Sequence, residues 1–489
     1  MIPDSARVIL SSANIDDFRR LPDGKCALRR EPKSPIARRR CRTGAGENLF
    51  IIEPEVREFS APRPPRKHTQ IYTKRSAWLL ALLFTVGCAK VLAVREIPQI
   101  VVGEPSFFRT IEAHTDAPIV GGNRIEILLN GNETFPAMLR DIRAAKSTIT
   151  FAQYLYEDGS IARDIAQAFA ERCRAGVSVN VLLDDHGAGG TPAEIIDTMK
   201  QSGCLVEYFR RVEAAGILFP WKLLRYNYRS HRRVLVVDGK IGFTGGYGIS
   251  EAWTGDGRTP EHWRDTNVRI EGPVVLFLQA AFAESWLEAT GVAIGGENYF
   301  PRLHPVGTIT GQIVKSSPTG GSFQNYMLFL LSINSAKKSI LITNPYFIPD
   351  DVMTEALVKA AGRGVRVEVL LPGEIDSQLT YTASRSHYGP LLLGGVHVYE
   401  YKAALLHAKT IVVDGVWSTV GSTNFDNRSF ALNQEINLTI YDRGIAERLE
   451  RIFAADLKYS ERITYEQWQS RSLYERVMEM FAFPIKEQL

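Results

Sequence analysis

A chain of 489 residues, 45% hydrophobic and 23% charged, is long enough for two domain-sized cores with appendages, and its bulk reads as ordinary globular protein. The net charge is only +4 and is uneven: residues 1–76 carry 17 Lys+Arg against 9 Asp+Glu, leaving 41 against 45 for the remainder. A main body that is slightly acidic lacks the basic stripe of a nucleic-acid binder, so nucleic acid is not the expected partner. The five cysteines (Cys26, Cys41, Cys88, Cys173, Cys204) form no CxxC and no His/Cys cluster, which argues against a zinc centre and a disulfide-framework fold and leaves the redox compartment open.

Residues 1–75, with Arg38-Arg39-Arg40, Pro64-Pro65 and few periodic apolar runs, are expected to be a basic, unstructured extension. Residues 76–95 contain the one strongly apolar helix-length stretch, but its clean core, Ser76 to Ala89, is 14 residues. A full membrane span needs roughly 17–25, although a lysine near one end, here Lys90, can snorkel. Three readings stay open: a single N-terminal membrane anchor, the signal-like h-region of an exported or lipoprotein precursor (with Gly87-Cys88 at its end), or a buried helix. The positive flank Lys74-Arg75 favours an N-terminus inside and the main body outside.

From about residue 120 helical patterns alternate with β-branched runs. Met138 to Lys146 reads as helix, Ser147 to Phe151 as strand, Ile161 to Arg174 as helix and Gly176 to Leu183 as strand. The order returns with Leu331 to Lys338, Ser339 to Thr343, a helix through Val358 to Ala361, and Val365 to Leu371. Helix-then-strand alternation with apolar runs bounded by glycine predicts an α/β fold with buried, partly parallel strands, and its recurrence predicts an internal duplication. The expected boundaries are 120–295 and 310–460 for the two repeats and 461–489 for a helical tail, in which Leu473, Val477, Met480 and Phe481 share one helical face.

Each repeat ends in the same pattern. Ser230-His231-Arg232-Arg233 runs through Val234–Val237 into Asp238-Gly239, and Leu406-His407-Ala408-Lys409 runs through Thr410–Val413 into Asp414-Gly415. Both read His-x-(Arg/Lys)-x4-Asp-Gly and lie 176 residues apart, and the offset persists downstream, pairing Gly245-Gly246-Tyr247-Gly248 with Gly421-Ser422-Thr423-Asn424. Further on, Asp265-Thr266-Asn267-Val268 resembles Glu435-Ile436-Asn437-Leu438. Strand alternation would put each histidine and its cation on one face. Two imidazoles, each with a cation, suit substitution at phosphorus: one attacks, the other protonates the leaving alkoxide, and the cations hold the nonbridging oxygens. A carboxylate on the far ring nitrogen would fix each tautomer. This chemistry needs no cofactor or metal.

The paired segments resemble the HKD motifs of the phospholipase D superfamily, over about residues 120 to 460. Tyr226 to His231, Thr244-Gly245-Gly246, Trp263 to Thr266 and Gly421 to Ser429 are most similar to bacterial cardiolipin synthases. The resemblance implies two tandem repeats, each a mixed β-sheet flanked by helices, packed about a pseudo-twofold. It implies a membrane-associated phosphatidyltransferase acting through a phosphohistidine on phospholipid, phosphatidylglycerol above all, at a bacterial cell membrane. A phosphodiesterase of the same fold (a phospholipase or a nuclease) and an inactive lipid-binding homologue are the alternatives. By resemblance the catalytic set is His231, Arg233, Asp238, His407, Lys409 and Asp414, with His231 as nucleophile and His407 as acid, or the reverse. Asp265, Glu435, Asn424, Ser422 and Gly246 would orient the imidazoles or bind phosphate, while Asp238 and Asp414 are better placed to fix the turn than to touch substrate. Two departures stand out: Arg233 replaces the usual lysine, and Gly248 stands opposite Asn424. The stretch Ile217 to Tyr226, apolar and aromatic residues mixed with cations just before His231, suits a lipid surface or a loop packed on its own domain.

Overall fold

The computed structural model describes residues 38–42, 48–52, 94–211, 227–317, 323–373, 377–472 and Arg476. The chain divides into two compact units, Met1–Leu83 and Phe84–Leu489. The described part of the first is an antiparallel pair, β1 (Arg38–Arg42) with β2 (Asn48–Ile52), a local departure from the unstructured extension expected there. Positions 76–93, the stretch Ile217 to Tyr226, and Leu473, Val477, Met480 and Phe481 lie outside the described residues. Among the described residues no helix is long and apolar enough to cross a membrane.

The second unit is built on one 15-stranded sheet. Its first half holds β3 (Val120–Leu129), β4 (Thr148–Gln153), β5 (Ser178–Asp184), β6 (Leu205–Phe209), β7 (Val234–Val237), β8 (Ile241–Gly245) and β9 (Thr266–Glu271). The second half holds β10 (Ile309–Ser316), β11 (Ser339–Thr343), β12 (Arg366–Pro372), β13 (His397–Tyr401), β14 (Thr410–Val413), β15 (Trp417–Gly421) and β16 (Glu435–Tyr441), with β17 (Ser460–Ile463) added at its outer edge. Read outward from the centre, one side runs β3-β9-β8-β7-β4-β5-β6 and the other β10-β16-β15-β14-β11-β12-β13. The two orders are equivalent strand for strand, and the antiparallel β3–β10 pair joins them. The sheet is thus a duplicated α/β unit. The tail begins as the edge strand β17, antiparallel to β13, before the short helix Tyr465–Gln469.

Local chemistry accounts for these elements. The all-buried runs Thr148–Gln153 and Ser339–Thr343 sit in mid-sheet, parallel to β5 and β12, where both faces are covered and β-branched side chains pack well. The helix Ser160–Arg174 covers one such face with Ile161, Ala162, Ile165, Ala166 and Phe169, a stripe at helical spacing. It is tied by a disulfide from Cys173 to Cys204, just ahead of β6, with Cα atoms 5.6 Å apart. These two cysteines looked scattered because 31 residues separate them.

Both Asp-Gly pairs form tight hairpin turns, between β7 and β8 and between β14 and β15. Asp238 and Gly239 have φ of 52° and 64°, Asp414 and Gly415 of 56° and 66°, the left-handed central pair of a type I′ turn. The Asp238 carboxylate accepts the amides of Lys146, Ser147 and Thr148, and Asp414 accepts those of Lys337, Lys338 and Ser339, at 2.7–3.2 Å. Each lies at the far end of its strand from its histidine, clamping the turn to the preceding helix–strand junction.

Candidate active site

The histidines do not lie within strands, as alternation had suggested. β7 begins at Val234 and β14 at Thr410, and the segments just before them leave their own ladder to pair across the seam. The His231 amide donates to the Gln434 carbonyl at 2.9 Å, and the His407 amide donates to the Arg264 carbonyl at 2.7 Å. Backbone groups must find partners somewhere; here each histidine segment finds them beside the orienting carboxylate of the other repeat.

The carboxylates are consequently crossed. Glu435, at the start of β16, lies 3.1 Å from His231 Nδ1, and Asp265, just ahead of β9, lies 3.1 Å from His407 Nδ1. A proton on each Nδ1 would satisfy its carboxylate and leave the lone pair on Nε2. Arg233 reaches back to its own histidine, with Nη2 3.2 Å from His231 Nε2 and Nη1 donating to the His231 carbonyl at 3.1 Å; its Nε is anchored on the Tyr247 carbonyl at 2.9 Å. The Lys409 ammonium lies 2.9 Å from each ring nitrogen of His407 and donates to the His407 carbonyl at 2.8 Å.

Electrostatics bind the two halves into one site. Burial, the Arg233 guanidinium and, more weakly, Lys409 hold His231 down to about 4, against the pull of Glu435. Burial and Lys409 hold His407 down to about 3, with Arg233 adding to the effect and Asp265 opposing it. Arg233 feels both Glu435 and Asp265. Although burial favours its neutral form, the Asp265 carboxyl is held below its usual range by the His407 hydrogen bond and by Lys409. In the free enzyme near neutral pH the site therefore holds two neutral imidazoles and an ionised Asp265 carboxylate, beside the Arg233 and Lys409 cations.

The supporting residues differ between the halves. Glu435 is gripped by Ser422 Oγ and by Ser429 Oγ, the latter at 2.8 Å. Asp265 is gripped instead by Trp253 Nε1 at 2.8 Å and the Thr266 amide at 2.7 Å. The Gly246 amide is already committed to Asn267 Oδ1 at 3.0 Å, and a Cβ there would sit 2.4 Å from Asp265 Oδ1. Gly246 thus clears space for the Asp265 carboxylate. Asn424 is buried beside the site, and its Oδ1, an acceptor, has no partner among the described residues. Rings complete the walls: Tyr154 is edge-on to His231 at 4.8 Å, and Trp253 and Trp263 lie 4.9 and 5.5 Å from His407. Tyr154, Trp253 and Ser429 were missed in the sequence. Carrying the 176-residue offset five positions further would have paired Trp253 with Ser429.

Comparison with known proteins gives the family and the fold. A family profile described as cardiolipin synthase, PLD-like domain, matches residues 138–286 and 330–457. The chain is 35% identical over 363 residues to the major cardiolipin synthase ClsA of Bacillus subtilis, covering 73% of each. It is 36% identical over 358 residues to a cardiolipin synthase of Staphylococcus aureus, covering 72% of this chain and 71% of that one. Among solved structures, the phosphatidylserine synthase of Haemophilus influenzae shares the fold, with a TM-score of 0.60 at 14% identity over 78% of this chain and all of that one. The chain belongs to the cardiolipin synthase family of the phospholipase D superfamily and is a phosphatidyltransferase of phospholipase D type.

Proposed function

We propose that the protein transfers a phosphatidyl group from one phosphatidylglycerol to the hydroxyl of another, through a phosphohistidine on His231. The observation that carries this reading is the crossed pairing, in which each imidazole is oriented by the other repeat's carboxylate beside a cation. His231 Nε2 attacks phosphorus while Glu435 holds the Nδ1 proton; the P–O bond to glycerol breaks and His407 gives that oxygen a proton. The acceptor hydroxyl then loses its proton to His407 and attacks phosphorus, and His231 departs. Arg233, Lys409 and the Asn424 amide take the nonbridging oxygens. His407 is neutral in the empty site, so its role as acid requires the phosphodiester itself. An anion facing the ring offsets Lys409 and Arg233 and lets the imidazole take up a proton.

The protein acts at a membrane, held by the apolar segment 76–95, with the catalytic unit on the outer face. Two features support that side: the Lys74-Arg75 flank and the Cys173–Cys204 disulfide, a bond that oxidising compartments preserve. Purified protein incubated with labelled phosphatidylglycerol tests the activity. Cardiolipin with released glycerol is the expected result; phosphatidic acid alone would make the protein a hydrolase, and no turnover would make it a binding protein.

A further inference from the structure

The repeats are equivalent strand for strand, yet their orienting carboxylates are held by different means, and the difference has a pattern. Trp253 and Ser429 stand at the same place in the two repeats, 176 residues apart. Each lies three residues after a helix-capping side chain: Ser250 caps the 3-10 turn Glu251–Trp253, and Asp426 caps the helix Asn427–Ala431. Each donates at 2.8 Å to the carboxylate that orients a catalytic histidine, Trp253 Nε1 to Asp265 and Ser429 Oγ to Glu435. The second exchange follows from the first. The backbone N–H of Asn424 donates to Ser429 Oγ at 3.2 Å and the small serine leaves room for the asparagine side chain, whereas a Cβ at the equivalent Gly248 would lie 2.9 Å from the Trp253 ring. Asparagine with serine in one half is replaced by glycine with tryptophan in the other. Trp253 is buried, edge-on to His407 and tilted against Trp263 at 4.1 Å, so it packs behind the reacting imidazole.

We propose that Trp253 is the positioning residue for His407, holding Asp265 in line with the imidazole as Ser429 holds Glu435, and that Gly248 is the space its indole requires. The cost is the side-chain amide that Asn424 supplies in the other half, so the two half-sites are unequal: polar recognition of the phosphate falls to the Asn424 side, and the His407 side is walled by indole rings. The inference rests on His231 and His407 being the reacting pair.

The test uses the full chain. Trp253→Phe keeps the ring and removes the donor. We expect kcat on labelled phosphatidylglycerol to fall about tenfold, one lost hydrogen bond to a charged acceptor, with KM within twofold. The charged groups acting on His407 are Asp265, Lys409 and Arg233. With the indole donor gone, Asp265 pulls harder on the His407 proton, so the His407 titration read by nitrogen-15 NMR, without substrate, should move to higher pH. Trp253→Ser alone should lose more than Trp253→Phe, and adding Gly248→Asn should recover activity by rebuilding the pattern of the other half. Wild-type kcat and an unmoved His407 titration in Trp253→Phe would overturn the proposal. So would a loss confined to KM or to thermal stability, or a double variant no better than Trp253→Ser. Should the wild type leave phosphatidylglycerol untouched, the transferase reading fails, and the NMR titration still decides the role of Trp253.

Discussion

Replacing Glu435 by glutamine removes one charge from a wholly buried site and almost no volume. Glu435 accepts from His231 Nδ1 at 3.1 Å and from the hydroxyls of Ser422 and Ser429. Glutamine keeps one acceptor for the imidazole, and a serine hydroxyl can reverse to accept from its NH2, so the fold should survive. What disappears is the charge on the imidazole's partner, and hydrogen bonds to charged groups contribute about 1.5–3 kcal/mol. At 1.36 kcal/mol per decade, kcat should fall about 10- to 150-fold. KM should hardly change, because Glu435 faces the back of the ring and leaves Nε2 to the substrate. The assay is steady-state transfer between labelled phosphatidylglycerols in mixed micelles, with circular dichroism to confirm folding. A kcat within twofold of wild type would refute the coupling of Glu435 to His231. A loss as complete as that of His231→Ala, in a folded protein, would mean that the carboxylate does more than orient and polarise.

Other consequences are open to measurement. Folded His231 and His407 stay neutral down to about pH 4 and 3, while the unfolded chain protonates them near 6.5. The unfolded state therefore binds more protons below pH 6.5, and stability should fall with pH from there to about 4. Urea unfolding should show a steeper loss for wild type than for a His231→Gln, His407→Gln double variant, and equal slopes would contradict the burial of both rings. Arg233→Lys keeps the charge but loses the anchor on the Tyr247 carbonyl, so kcat/KM should drop about 5- to 30-fold, an equivalent of about 1–2 kcal/mol; unchanged activity would show that the fork is unused. The Cys173–Cys204 disulfide closes a loop with a sequence separation of 31, and its removal should lower unfolding free energy by about 3–4 kcal/mol. A Cys173→Ser, Cys204→Ser variant as stable as wild type would refute that contribution.

Much of the arrangement was legible because it is repetitive. Two His-x-cation segments at one offset located the two histidines that the structure brings to one site, and the buried β-branched runs located the central strands. The crossing of the carboxylates was not legible: Asp265 and Glu435 were recognised as orienting groups, but which histidine each serves is decided by the β3–β10 seam, which β9 and β16 flank on either side. Placing His231 on a strand failed for the same reason, since its backbone pairs across the seam with Gln434. The turn aspartates share the motif with the histidines, yet a strand separates them from the chemistry. Gly246 was expected to orient the imidazoles or bind phosphate, and its missing side chain makes room for the Asp265 carboxylate.

The central claim is a covalent bond between His231 and the phosphatidyl group, and it can be caught. Enzyme mixed with phosphatidylglycerol labelled at phosphorus, quenched in alkali within a few milliseconds and digested, should yield an acid-labile, alkali-stable label on the peptide bearing His231, absent from His231→Ala. Label on His407, or continued turnover by His231→Ala with no label on either peptide, would contradict the account.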